Sequence, residues 1–263
     1  MPTSDPDRTA HEEPMTLSQK AYRRLREDIL AGTFDPGQPL RLENLRQRYG
    51  LSFSPLREAL NRLQTERLVA VAALRGFAVA EVSPAEMRDA METRILIECE
   101  ALRKSMEHGD DFWEGEILAA LHALARQIDR MSETAAKPLS GAIGLLEARH
   151  RDFHAALIAR CGSPRLLALA EQLYAETQRY RLPSLIGQPD ADRQRDVHQE
   201  HLDIAEAVLA RSANAIHLLA EHYRRTAASI ETALNSRKKA PEPKPRRTTA
   251  RRAARTKTDD LSE

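Results

Sequence analysis

The chain has 263 residues, long enough for two domains that each bury a core. It is 30% charged and only 4% aromatic, which suits a mostly helical soluble protein, and no apolar run approaches the ~18 residues of a membrane span. The net charge of +1 conceals a split: residues 15–80 hold eleven Lys/Arg against six Asp/Glu, residues 81–236 eighteen against twenty-five, and residues 237–263 ten against four. A small basic part ahead of an acidic body suits a nucleic-acid-binding head on a domain that does not touch DNA.

Residues 1–14 are polar and proline-bearing, with neither a core to bury nor a secretory pattern, so disorder is expected there. The two cysteines, Cys99 and Cys161, fall in helical patterns and fit buried thiols in a reducing cytoplasm. Thr16 is placed to cap a first helix in which Leu17, Ala21, Leu25 and Ile29 recur every four residues, and Gly32 with Asp35-Pro36-Gly37 ends it. Leu42, Leu45 and Tyr49 then share one face of a short helix that stops at Gly50. Ser52 or Ser54 caps the next, with Pro55 in its first turn and Leu56, Ala59, Leu60 and Leu63 on its buried side. That leaves Ser52, Phe53, Ser54, Arg57 and Asn61 at its exposed start and outer face, a set suited to the major groove of DNA. Leu68 to Val71 and Phe77 to Val82 read as a hairpin around Leu74-Arg75-Gly76, so residues 15–82 are expected to form a winged helix-turn-helix with Arg75 and Gly76 at the wing tip.

From Ser83 to about residue 236 the pattern is helical throughout. Ser83-Pro84 with Glu86 reads as a capped start, Asp110 caps a second helix, and Met131 to Ser140 reads as a loop. Further helices are expected over about 139–160, 164–181, 190–210 and 213–235, with a loop at Pro183 to Pro189. Six such helices predict a bundle, making the fold mainly α with an N-terminal winged helix. Residues 237–263 form a basic, low-complexity tail, read as disordered or as a non-specific DNA tether.

The bundle also concentrates imidazole, with six of nine histidines between His150 and His222. His150 and His154 share a helix face, and His201 and His222 lie on two further helices. Nitrogen ligands converging from three helices suit zinc or nickel. The alternative is a domain of satisfied histidines without metal.

Residues 16–82 resemble the winged-helix domain of the GntR family of bacterial transcription regulators. The resemblance rests on Ala31-Gly32, Pro36-Gly37, Leu51-Ser52-Phe53-Ser54-Pro55-Leu56-Arg57-Glu58-Ala59-Leu60, Leu68-Val69 and Arg75-Gly76-Phe77. Residues 83–236 resemble the helical FCD effector domain of its FadR-like branch, through Arg94 to Glu98, Phe153-His154 and Glu200-His201 with Ile204 and Ala207. Phe53 stands where many relatives carry arginine and Glu43 where they carry a second, so Arg41, Arg46 and Arg48 are the expected backbone contacts instead. The resemblance implies a homodimeric repressor reading a palindromic operator and released by a small carboxylate or dicarboxylate. His154, His201 and His222 match its metal ligands, with His150 in place of an aspartate or asparagine, and Arg94 matches its effector-binding arginine. Tyr180, with Arg179 or Arg181, is read as closing the far end of a dicarboxylate. Two other readings stand beside this: a helical metalloenzyme, and a DNA-binding protein whose bundle senses nothing.

Overall fold

The computed structural model describes residues 15–72, 76–132, 140–187 and 196–239. Helix α1 (Leu17–Leu30) opens with a full capping box in which Gln19 N–H donates to Thr16 Oγ1 and Thr16 N–H to Gln19 Oε1. Helix α2 (Leu42–Tyr49) ends at Gly50 in the left-handed conformation, φ 67°, and helix α3 (Phe53–Thr65) follows. The expected apolar faces of α1 and α3 are the ones buried: Ala21, Leu25 and Ile29 meet Leu56, Ala59, Leu60 and Leu63 in one cluster. Ser52 is the N-cap of α3 by backbone conformation, with its hydroxyl unengaged in capping.

The sheet has a strand more than the sequence predicts. Strand β3 (Gly76–Val79) pairs with β2 (Val69–Ala72) in the expected hairpin and, on its other edge, with β1 (Pro39–Leu40). Two residues beginning with proline show no alternation, so β1 carries no signal of its own; pairing with Phe77 and Ala78 creates it. Strand β3 also stops at Val79 rather than Val82.

Among the described residues six helices build the second half: α4 (Pro84–His108), α5 (Asp111–Ser132), α6 (Ser140–Ile158), α7 (Pro164–Gly187), α8 (Val197–Leu209) and α9 (Asn214–Lys239). Their shared core holds Trp113, Phe153, Leu157, Tyr223 and Val208, and Trp113 fixes α5 to α6 by donating its indole N–H to Ala156 O at 2.7 Å. The mainly α fold with winged helix and helical bundle is therefore as expected, but three helix ends are not. Helix α7 runs past Pro183 to Gly187, where a loop is expected; the turns just before it are held on both sides by Arg179 and Arg181. Tertiary contacts thus carry an interior proline that costs a free helix about 3 kcal/mol. Helix α8 starts at Val197, its Asp196 cap accepting from Gln199 N, rather than near residue 190, and α9 continues to Lys239.

The head sits on the bundle through α1 and α7, and Ile143 of α6 and Met131 of α5 join the head's own hydrophobic cluster. Residues 1–14, most of the Met131–Ser140 loop, residues 188–195 and the tail from residue 240 lie outside the described residues.

Candidate DNA-reading face and histidine centre

Helix α3 divides cleanly. Pro55, Leu56, Ala59, Leu60 and Leu63 face inward, while Ser52, Phe53, Ser54, Arg57 and Asn61 are exposed. Arg41, ahead of α2, and Gly76, at φ 80° opening β3, are exposed too; Arg75 lies outside the described residues. Phe53 is 46% exposed, an unusual position for a phenyl ring, and the Arg46 guanidinium lies 5.8 Å from its centroid. Glu43 holds that arginine at 2.8 Å. Arg48 is tied to Asp28 at 2.9 Å, which leaves Arg41 and Arg57 as the more available cations of the expected set.

The second site is buried. His150 and His154 from α6, His201 from α8 and His222 from α9 converge so that one ligand atom from each lies within 4.8 Å of the others. All four side chains are buried, with His201 at 1% exposure. Neighbours fix two of the rings. A carboxylate only accepts, so Tyr223 O–H donates to Glu98 and the Tyr223 oxygen accepts from His154 Nδ1–H at 2.8 Å. His222 Nδ1 lies 2.8 Å from Glu200 Oε2. In both rings Nδ1 is thereby protonated, and in neutral His154 Nε2 keeps its lone pair toward His150, the tautomer a metal ligand needs. His150 Nε2 stands 3.2 Å from His154 Nε2, and Arg181 Nη1 donates to His150 Nδ1 at 2.8 Å.

Burial pulls the His150 pKa well below its ordinary value, and Arg181 pulls it further; His154 is lowered by burial and then by His222 and His201. Neutral imidazoles are the form that binds a cation. The donor set, its burial and the Nδ1–H groups held on His154 and His222 fit a divalent first-row ion, whereas neutral His150, accepting from Arg181 at Nδ1, carries its proton on Nε2.

Two buried ion pairs flank the centre. Arg94 is 2% exposed; its Nε donates to Glu98, Nη1 to Thr177 at 3.3 Å and Nη2 to Tyr223 at 3.2 Å. Burial opposes its charge, but Glu98 more than offsets that and raises its pKa. Arg181 pairs with Glu147 and donates to Tyr174 at 2.7 Å. Tyr174, whose pKa burial raises to about 12, is the phenol beside His150 at 3.5 Å. Tyr180 faces a different set: its hydroxyl accepts from Arg179, which also reaches Glu86 and the carbonyl of Arg67. The structure thus joins Arg181 and Tyr174 to the histidines and keeps Tyr180 in the bundle core, its hydroxyl on Arg179 rather than at the centre. Glu147 and Tyr174 were missed from sequence, although Glu147, His150 and His154 repeat at i, i+3 and i+7 on one helix face. A cavity of about 190 Å³ adjoins the centre, walled by Ala155, Ile158, Leu167 and Ala170, with His154, Glu98 and Tyr174 also lining it.

A basic winged helix seated on a helical bundle with a buried polar centre defines a DNA-binding transcriptional regulator with an effector domain. The chain belongs to the GntR family of bacterial regulatory proteins: residues 17–79 match that family's model and residues 89–225 match the FCD domain. It is 38% identical over 199 residues to the uncharacterized HTH-type transcriptional regulator BphR of Paraburkholderia xenovorans, covering 75% of this chain and 78% of that protein. It is 36% identical over 211 residues to the HTH-type transcriptional repressor GlaR of Escherichia coli, covering 79% and 93%. Among solved structures it resembles E. coli McbR/YncC with a TM-score of 0.65 at 24% identity, over 84% of this chain and all of that one. The family's members are regulators, and the enzyme reading is set aside.

Proposed function

We propose that this regulator acts as a homodimeric repressor whose helical domain holds a divalent metal at His150, His154, His201 and His222 and is released from its operator by a small carboxylate. The observation that carries the reading is the convergence of four buried imidazoles, two of them with Nδ1 engaged by Tyr223 and Glu200. The match to a protein named as a repressor supports the sign of regulation. In the head, Arg57 and Asn61 with Ser52, Ser54 and Phe53 read bases, Phe53 through a thymine methyl, while Arg41, Arg75 and Gly76 meet the backbone. Two heads of a dimer read half-sites about one DNA turn apart in a palindrome.

The charge balance supports an anionic effector. Arg94 is neutralised by Glu98 and Arg181 by Glu147, so the two arginines bring no net positive charge to the centre. His150 and His154, held neutral, bring none either, and a bound divalent ion supplies the unbalanced positive charge that draws a carboxylate there. Arg94, with Tyr174 and Arg181 rather than Tyr180, then orients the carboxylate through its N–H groups.

Elemental analysis of the purified full-length protein is expected to find about one zinc or nickel per chain, in the fixed ratio that a four-ligand site gives. His201→Ala is expected to abolish that metal while leaving operator binding by the effector-free protein intact. Wild-type protein that purifies without metal and takes up neither ion on addition would remove the site.

A further inference from the structure

Helix α3 ends in a way that ties it to the bundle. Leu68 N–H donates to Leu63 O and Arg67 N–H to Gln64 O, a two-bond helix stop that requires the residue at 67 to be left-handed. Glycine is the cheap choice there, and another residue costs roughly 1–2 kcal/mol. The chain has Arg67, at φ 55°. Its side chain reaches Glu176 of α7 at 3.5 Å, and its carbonyl accepts from Arg179 Nη1 at 2.7 Å. The same guanidinium lies 3.4 Å from Glu86 in the first turn of α4. One residue away, Gln178 accepts from Arg26 of α1, which is also paired with Glu66. Residues 176, 178 and 179 therefore hold the joint between the reading helix and the wing. The other face of those two turns carries Thr177 on Arg94 and Tyr174 and Arg181 on His150.

We propose that Arg179 is a positioning residue for operator recognition: by clamping the Arg67 carbonyl it fixes the angle at which the head leaves the bundle, and so sets which half-site spacing a pair of heads can read. Bidentate delivery suits this, because one planar fork serves the Arg67 carbonyl and the Glu86 carboxylate together, which a lysine cannot. The face of α7 that touches the histidine centre and the face that grips the head are one rigid piece, so a shift of Arg181 reaches Arg67 without an intervening loop.

The test uses the full-length protein and an operator selected by the wild type from random duplex DNA. Affinity is measured for that duplex, for versions with the central spacer longer or shorter by about two base pairs, and for a single half-site. Wild type is expected to lose at least about tenfold when the spacer changes, whereas Arg179→Ala loses less than about threefold and binds the single half-site as wild type does. An Arg179→Ala protein that keeps the full spacer penalty overturns the proposal, as does one whose half-site affinity falls with its spacer discrimination, since that is damage to the head. If the alanine variant does not fold, Arg179→Lys carries the test: its ammonium serves one acceptor at a time, so a lysine variant with the full penalty overturns the proposal equally. A wild type indifferent to spacing overturns the positioning role, whereas a monomer on sizing chromatography overturns the dimer reading.

Discussion

At the scale of single residues, the molecule places arginine where economy favours glycine and glycine where a side chain cannot fit. Arg67 and Arg211 are the described non-glycine residues with positive φ, and both close a helix with the same pair of backbone hydrogen bonds. Each also reaches across to another element. Arg211 donates to the carbonyls of Met106 and Gly109 and to Glu114, and its guanidinium lies over Trp113. The cost of the left-handed residue is offset by a guanidinium delivered at an angle that no in-helix position offers. Gly109 is the reverse case. Its backbone is ordinary, φ −69°, but a Cβ there would stand 2.0 Å from the Trp113 ring. Gly109→Ala is expected to destabilise the protein by about 1–3 kcal/mol, the range for overpacking, because the ring is fully buried and tied to Ala156 O. Trp113 is the chain's sole tryptophan, so a denaturant melt followed by its fluorescence reports this directly; an unchanged midpoint would mean that the α4–α5 turn yields freely.

At the scale of elements, α3 and α7 each present two faces to two environments. In α3 the buried stripe from Leu56 to Leu63 fixes the helix against α1, and this leaves Arg57 projecting from the opposite side. Arg57→Ala is therefore expected to weaken operator binding by about 1–3 kcal/mol with no change in melting temperature, the amount typical for one base-reading arginine. Anisotropy titration checks the first and a thermal melt the second; equal affinity for the variant would move base reading elsewhere on the face. Helix α7 is divided differently, with cations on both sides. Arg179 meets the head and Arg181 the histidines, two residues and about half a turn apart. That double anchoring explains why the helix persists to Gly187 through a proline.

For the whole molecule, the buried imidazoles set a pH dependence. His150 and His154 are held neutral in the folded chain, burial being the main cause, while unfolded histidine takes up a proton near its ordinary 6.5. Since the unfolded state binds more protons below that value, stability is fully present above pH 6.5 and falls as the pH drops through it. Melts of chelator-treated protein between about pH 7.5 and about pH 5.5 should show this, with a shallower fall for His150→Gln, which has no proton to gain. A parallel fall in both proteins would assign the acid sensitivity to other groups.

Much of this architecture was legible without coordinates. Helical periodicity and caps gave α1 to α6 and the apolar face of α3, because an amphipathic helix writes its own spacing into the chain, and i, i+4 placement alone put His150 beside His154. What required tertiary structure were the features whose cause lies far away in sequence. Strand β1 exists only because Phe77 and Ala78 pair with it, and α7 outlasts Pro183 only because Arg67 and His150 hold its sides. Tyr180 and Tyr174 are equally good tyrosines on paper, six residues apart on one helix. The fold alone decides that Tyr174 meets the histidines while Tyr180 sits in the bundle core against Arg179, since which way a helix face points depends on what packs against it.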